Sequence, residues 1–214
     1  MIIRHVLLIL FFAFIQVSPV VNSASNANSN KVKLTDKQIR VLQSLDTQQY
    51  QPQTKPLHKT VRLKVAKLTD NQGQVYLAAL VSRAELSSYL IQLEQLLGND
   101  FQQYRALQAA RDHQLFHMTL LSPREYQLAD KTLVEKLLAP EFNNNFSSQL
   151  KVTLLGLGKV ALEHKKTFFV VAQSGDAQLI RQRFLLSAKD FHVTLGFNLQ
   201  DIYGVSKGVT TLID

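Results

Sequence analysis

Phe116-His117-Met118-Thr119-Leu120 and Phe191-His192-Val193-Thr194-Leu195 are near copies of one pentapeptide, agreeing at four of five positions, with the two histidines 75 residues apart. In an extended strand, side chains two apart share a face. Each His therefore stands beside its own Thr, while Phe, Met or Val, and Leu turn to the other side and fasten the polar pair to a packed sheet. A single His-x-Thr strand is ordinarily a histidine satisfied by a neighbouring hydroxyl. Duplicating a structural strand would retain its apolar positions. It has no reason to repeat an imidazole and a hydroxyl in the same frame unless both are used.

Working outward, the order of elements around the two copies also repeats. Strands are predicted at Val61–Leu68 and Gln74–Val81, then a helix at Ala84–Leu97 with Leu86, Tyr89, Leu90, Leu93 and Leu96 on one face. Asn99 and Asp100 predict a break before further helix. A strand at Gln114–Leu121 carries the first motif, and Ser122-Pro123 opens a helix to about Leu138. Two or three strands follow between Gln149 and Val171. A helix from Gly175 through Leu186, with Leu179, Ile180, Phe184 and Leu185 as its apolar side, then leads to a strand at Phe191–Phe197. Helices interleaved with strands in two similar blocks predict an α+β, bilobal duplicated fold: two antiparallel-type sheets flanking a central cleft, with helices outside.

The N-terminal part reads differently. Arg4 and His5 precede the apolar run Val6–Ile15, which Gln16, Ser18 and Pro19 interrupt before a stretch of small polar residues. That layout predicts a signal peptide over residues 1–23, too short and too interrupted for a membrane span, and hence an exported chain, periplasmic or secreted. Residues 24–58 read as a linker with a short helix, opened by a capping-box spacing between Thr35 and Gln38 and followed by a Gln-rich segment holding Pro52 and Pro56. Residues 59–214 form the remaining domain. At 214 residues and 46% apolar composition the chain buries the core of one domain or of two small lobes. The absence of cysteine excludes a disulfide scaffold and a thiolate zinc cage. A formal net charge of +8 favours an anionic ligand, although the basic residues are scattered, as they are on an ordinary solvated surface.

Two histidines suit general acid–base chemistry, of which phosphodiester cleavage is one case. Cleaving a phosphodiester requires one group to take a proton from the attacking nucleophile and another to give one to the leaving oxygen. Imidazole titrates near neutrality in both roles. Threonine hydroxyls can donate to the non-bridging phosphoryl oxygens, and no metal or other cofactor is called for. Other site readings are weaker. His113 and His117 lie on an expected strand, where four positions span about 13 Å, too far to share an ion. Gly156-Leu157-Gly158-Lys159 lacks the full phosphate-loop spacing and reads as a hairpin turn, with His164-Lys165-Lys166 as a polar turn tip.

Tandem His-x-Thr strands at this spacing resemble the 2H phosphoesterase superfamily, which includes cyclic phosphodiesterases and RNA 2′-5′ ligase-like proteins. The likeness extends over about Val61–Phe197, including Leu154–Gly158 and Phe168–Val171 before the second motif. The resemblance implies His117 and His192 as catalytic residues, Thr119 and Thr194 as phosphate contacts, and hydrolysis of a cyclic phosphodiester such as a 2′,3′-cyclic nucleotide or RNA end. The alternative is a non-catalytic exported module that binds phosphate or RNA ends in the same cleft. Residues beyond Phe197 have no assigned counterpart. There Tyr203 is a candidate for stacking on a base and Lys207 for meeting a phosphate; a turn at Gly204 with a solvated lysine is the competing reading.

Overall fold

A computed structural model describes residues 58–139 and 149–213. The expected leader, residues 24–57 of the expected linker and the expected Thr35 capping box lie outside the described residues. Six strands are present among them: β1 (Lys59–Thr69), β2 (Val75–Val81), β3 (Phe116–Leu121), β4 (Gln149–Leu162), β5 (Lys165–Gln173) and β6 (Phe191–Phe197). The helices are α1 (Ser87–Leu97), α2 (Phe101–Arg111), α3 (Pro123–Leu128), α4 (Lys131–Leu138) and α5 (Gly175–Arg183).

The strands close one antiparallel barrel in the order β1-β2-β3-β6-β5-β4. The two expected sheets are therefore one sheet, and the bilobal description is corrected to a barrel in which each half contributes three consecutive strands. A three-stranded half leaves two open edges of unpaired N–H and C=O groups, and joining the halves edge to edge covers both. One seam is long, β1 with β4 from Lys59↔Leu154 to Lys64↔Gln149. The other is narrow, β3 with β6 at Met118↔Val193. Both halves share one core, to which Val61, Leu63 and Val65 of β1 and Met118, Leu120, Val193 and Leu195 of the motif strands contribute.

Each half supplies a hairpin, helix and motif strand, and the helices cross over: α2 of the first half packs on β6, and α5 of the second packs on β3 and β4. Gly196 permits the first contact, because a Cβ there would lie 3.0 Å from both Cβ and O of Tyr104. The second is pinned by charge. Buried Arg181 of α5 donates to Leu120 O at 2.7 Å and to Glu125 Oε1 at 2.8 Å. Glu125 in turn completes the Ser122 capping box at the start of α3. Burial alone would raise the Glu125 carboxyl, but Arg181 and Ser122 outweigh it and hold it down at about 2.

Several expected elements shift. The helix after Ser122-Pro123 is two helices, because Asp130 caps a new start with bonds from Thr132 N at 2.8 Å and Leu133 N. The first motif strand begins at Phe116, and His113 and Gln114 sit in a turn with positive φ, so His113 is not on the strand. Gly156–Lys159 is the interior of β4, and the hairpin turn falls at Glu163 and His164. Gly158 has a packing reason instead: its Cβ would meet Phe169 Cε2 at 2.6 Å. Leu96 of α1 and Leu179 of α5 are exposed, and Leu185, at 94%, lies beyond the end of α5. Buried Ala177, Ile180 and Arg181 form the packed side of α5.

Candidate active site

The narrow seam positions the four motif side chains. Phe116, Met118 and Leu120 of β3 and Phe191, Val193 and Leu195 of β6 enter the core, so His117, Thr119, His192 and Thr194 share the opposite face. With Met118 opposite Val193 in an antiparallel pair, His117 comes level with Thr194, and Thr119 with His192. Each imidazole therefore has a hydroxyl beside it on its own strand and another across the seam. All four side chains line one cleft of about 840 Å³, a size suited to a small ligand.

Tyr203 and Lys207 line the same cleft. Both halves of the competing reading are resolved by geometry. Gly204 does make a left-handed turn at φ 73°, which leaves Tyr203 66% exposed at the rim. Lys207 is not solvated: it is 4% exposed, and its ammonium donates to Asp201 Oδ1 at 3.0 Å.

Asp201 anchors this wall. Its carboxylate also accepts from Thr167 Oγ1 at 2.9 Å and from Ile202 N at 2.7 Å, and it pairs with Arg111 at the end of α2. Arg111 makes a second, two-pronged pair with Asp112, 2.7 Å on each arm, and its guanidinium covers the Phe197 ring. Gln108 Nε2 holds Asp112 Oδ2 at 2.7 Å. Burial raises the Asp201 carboxyl, but Lys207 and Arg111 outweigh it and keep it below its ordinary value. Tyr76, Arg111, Asp112, Lys189 and Asp201 also line the cleft and were not anticipated. No periodicity marks them, because each acquires its place through contacts far along the chain.

The two imidazoles have different surroundings. His117 Nε2 lies 3.4 Å from Tyr76 Oη, with the rings 5.3 Å apart. His192 and Phe169 pack in a T-shaped arrangement with ring centroids 5.4 Å apart, and Phe169 occupies the space opened by Gly158. Burial lowers both imidazoles below their ordinary range. For His117, Asp112 opposes that effect and Arg111 adds to it. His192 falls to about 3, because Lys207 and Lys189 reinforce burial against Asp201. Each Nδ1 is buried without a hydrogen-bond partner among the described residues. Among the same residues, no three His, Asp or Glu side chains form a metal-holding group.

A model of the family described as Swiss Army Knife, 2H phosphoesterase domain, matches residues 78–203. That span covers both motif strands, α1 to α5 and the Asp201 to Tyr203 segment. Neither a curated protein nor a solved structure matches the chain.

Proposed function

The chain belongs to the 2H phosphoesterase family, and from that premise we propose that it hydrolyses a cyclic phosphodiester, a 2′,3′-cyclic nucleotide or RNA end, with His117 and His192 as general acid and base. The observation that carries this reading is the seam register, which sets two imidazoles and two hydroxyls on one face of one cleft. A phosphate seated there meets a proton acceptor, a proton donor and two hydroxyl donors without rearrangement of the sheet.

In this scheme a neutral imidazole takes a proton from water as its oxygen bonds to phosphorus. The other, protonated imidazole gives its proton to the ribose oxygen as the P–O bond to it breaks. One ring gains a proton and the other loses one, so the pair is restored by exchange with solvent. Thr119 and Thr194 donate to the non-bridging oxygens as negative charge concentrates there. Burial favours the neutral form of both rings in the free protein, and an arriving phosphate anion favours protonation of its neighbour. Asp112 favours and Arg111 opposes protonation of His117, whereas three cations, Lys207, Lys189 and Arg111, outweigh Asp201 in opposing protonation of His192. We therefore assign His117 as the acid and His192 as the base. Tyr203 at the rim and Lys207 on the wall are the proposed contacts to base and phosphate. The apolar leader at residues 1–23 supports export as part of the same reading.

The test is turnover of nucleoside 2′,3′-cyclic phosphates by the mature chain in excess chelator, beside His117→Ala and His192→Ala. Hydrolysis by the parent that both variants lose supports the proposal. Tight binding of phosphate-ended RNA with no turnover would replace it with the non-catalytic binding module.

A further inference from the structure

Three basic side chains line the cleft, Arg111, Lys189 and Lys207. Two are neutralised within the fold, Arg111 by Asp112 and Asp201, and Lys207 by Asp201. Lys189 makes no ion pair or side-chain hydrogen bond with any described residue. Glu125, the one carboxylate that favours its charge, is committed to Arg181. Asp190, next along the chain, accepts from Ser206 Oγ at 2.6 Å, and Asp70 is occupied by the backbone of its own turn, Gln72 N and Gln74 N.

The backbone at Lys189 is nevertheless held from both sides. Gln178 Nε2 donates to Lys189 O at 2.7 Å, and Lys189 N donates to Gln178 Oε1 at 3.3 Å. An amide clamp from α5 thus fixes the backbone of a half-buried lysine that has no ion-pair partner among the described residues. A partly desolvated charge without an ion-pair partner costs stability. Lys189 also lines a second groove of about 330 Å³, walled by Ser174, Gly175, Gln178, Asp190 and Gly208. The catalytic cleft and this groove meet at Lys189 and Asp190.

We propose that Lys189 receives a second phosphate of the substrate, which extends from the cleft towards the groove. The substrate class is then a nucleotide or oligonucleotide bearing a phosphate besides the one that is cleaved. This rests on the phosphodiesterase reading above. The ammonium supplies a charge-assisted contact to that phosphate, and the Gln178 clamp holds the backbone that carries it, three residues before His192.

The experiment compares adenosine 2′,3′-cyclic phosphate, its 5′-phosphorylated form and a dinucleotide ending in a cyclic phosphate, using the mature parent chain, Lys189→Met and Lys189→Arg. In parallel, titration calorimetry at fixed salt compares adenosine 3′-phosphate with adenosine 3′,5′-bisphosphate. The expected result is a preference of about tenfold or more in kcat/KM for substrates with the additional phosphate. Lys189→Met brings the ratio to about one, and Lys189→Arg keeps most of it. A preference for the 5′-monoester alone identifies a terminal phosphate, and one shared by the dinucleotide an internal phosphodiester. Equal turnover of all three substrates, or a preference that survives Lys189→Met, overturns the inference while leaving hydrolysis standing. Absent turnover, a Lys189-dependent preference for the bisphosphate in calorimetry supports the inference and removes the hydrolytic reading. No preference in either measurement overturns it.

Discussion

β3 and β6 present the same His-x-Thr pattern to the same cleft, yet their histidines are placed in unlike surroundings. His117 has a phenol hydroxyl at 3.4 Å and a carboxylate, Asp112, that favours its protonation. His192 has a T-shaped contact with Phe169 and two lysines that oppose its protonation against the carboxylate of Asp201. A duplicated strand supplies a symmetric pair of imidazoles, but acid–base catalysis needs them unequal. The inequality comes from neighbours that the repeat does not contain.

The most severe break in the comparison is removal of either ring. His117→Ala and His192→Ala are each expected to lower kcat by about 10²–10⁴, the usual range for a general acid or base. Groups acting as a unit are not additive, so the double variant should fall little further than the worse single one in steady-state assays. Independent, multiplying losses would show that the rings do not work together.

Next is the carboxylate on the His192 side. Asp201→Asn leaves Lys207 buried without its counter-charge, and is expected to cost about 3–5 kcal/mol in urea unfolding, as breaking a buried ion pair does. Adding Lys207→Met to that variant should recover part of the loss. An Asp201→Asn protein as stable as the parent would mean that the wall is not held by this pair.

The hydroxyls test whether the two sides serve the phosphate equally. Thr119→Val and Thr194→Val should each reduce kcat by roughly 10²-fold with KM changed less, because the donors act on charge that develops in the transition state. A loss confined to KM would assign them to ground-state binding.

Acid stability sharpens the contrast between the rings. His192 falls from 6.5 unfolded to about 3 folded, so its contribution is complete above about 6.5 and is lost as pH falls towards 3. The slope it can add is at most about 1.4 kcal/mol per pH unit. His117 shifts in the same direction, with Asp112 opposing the shift. His192→Gln should therefore flatten the decline in unfolding free energy below pH 6.5 more than His117→Gln. The smallest effect is expected from Tyr76→Phe, which removes a 3.4 Å contact to His117 alone. It should change kcat by less than about tenfold and move only the limb of the pH–rate profile assigned to the acid.

Much of the frame was legible from pattern. The strand expected at Phe191–Phe197 is β6 with the same bounds, and the hairpin, helix and motif-strand order recurs in both halves. Those signals are local: alternation sets strands, and capping at Ser122 sets the start of α3. Leu185 shows the limit, since helical spacing nominated it for a face that the chain leaves at 94% exposure. Gly158 shows another. Its neighbours in sequence suggest a turn, and only the position of Phe169 reveals that the strand needs a residue without Cβ.

Period and repetition by themselves determined that two strands would carry paired imidazoles and hydroxyls on one face, with apolar side chains anchoring them from the other. Only the tertiary structure decided that the halves close into one barrel, that Met118 meets Val193, and that Asp112 stands on one side of the pair and Lys189 and Lys207 on the other. The physical reason is range. Strand alternation is set by neighbours two residues apart, whereas the field at each imidazole depends on charges brought close by folding from distant parts of the chain.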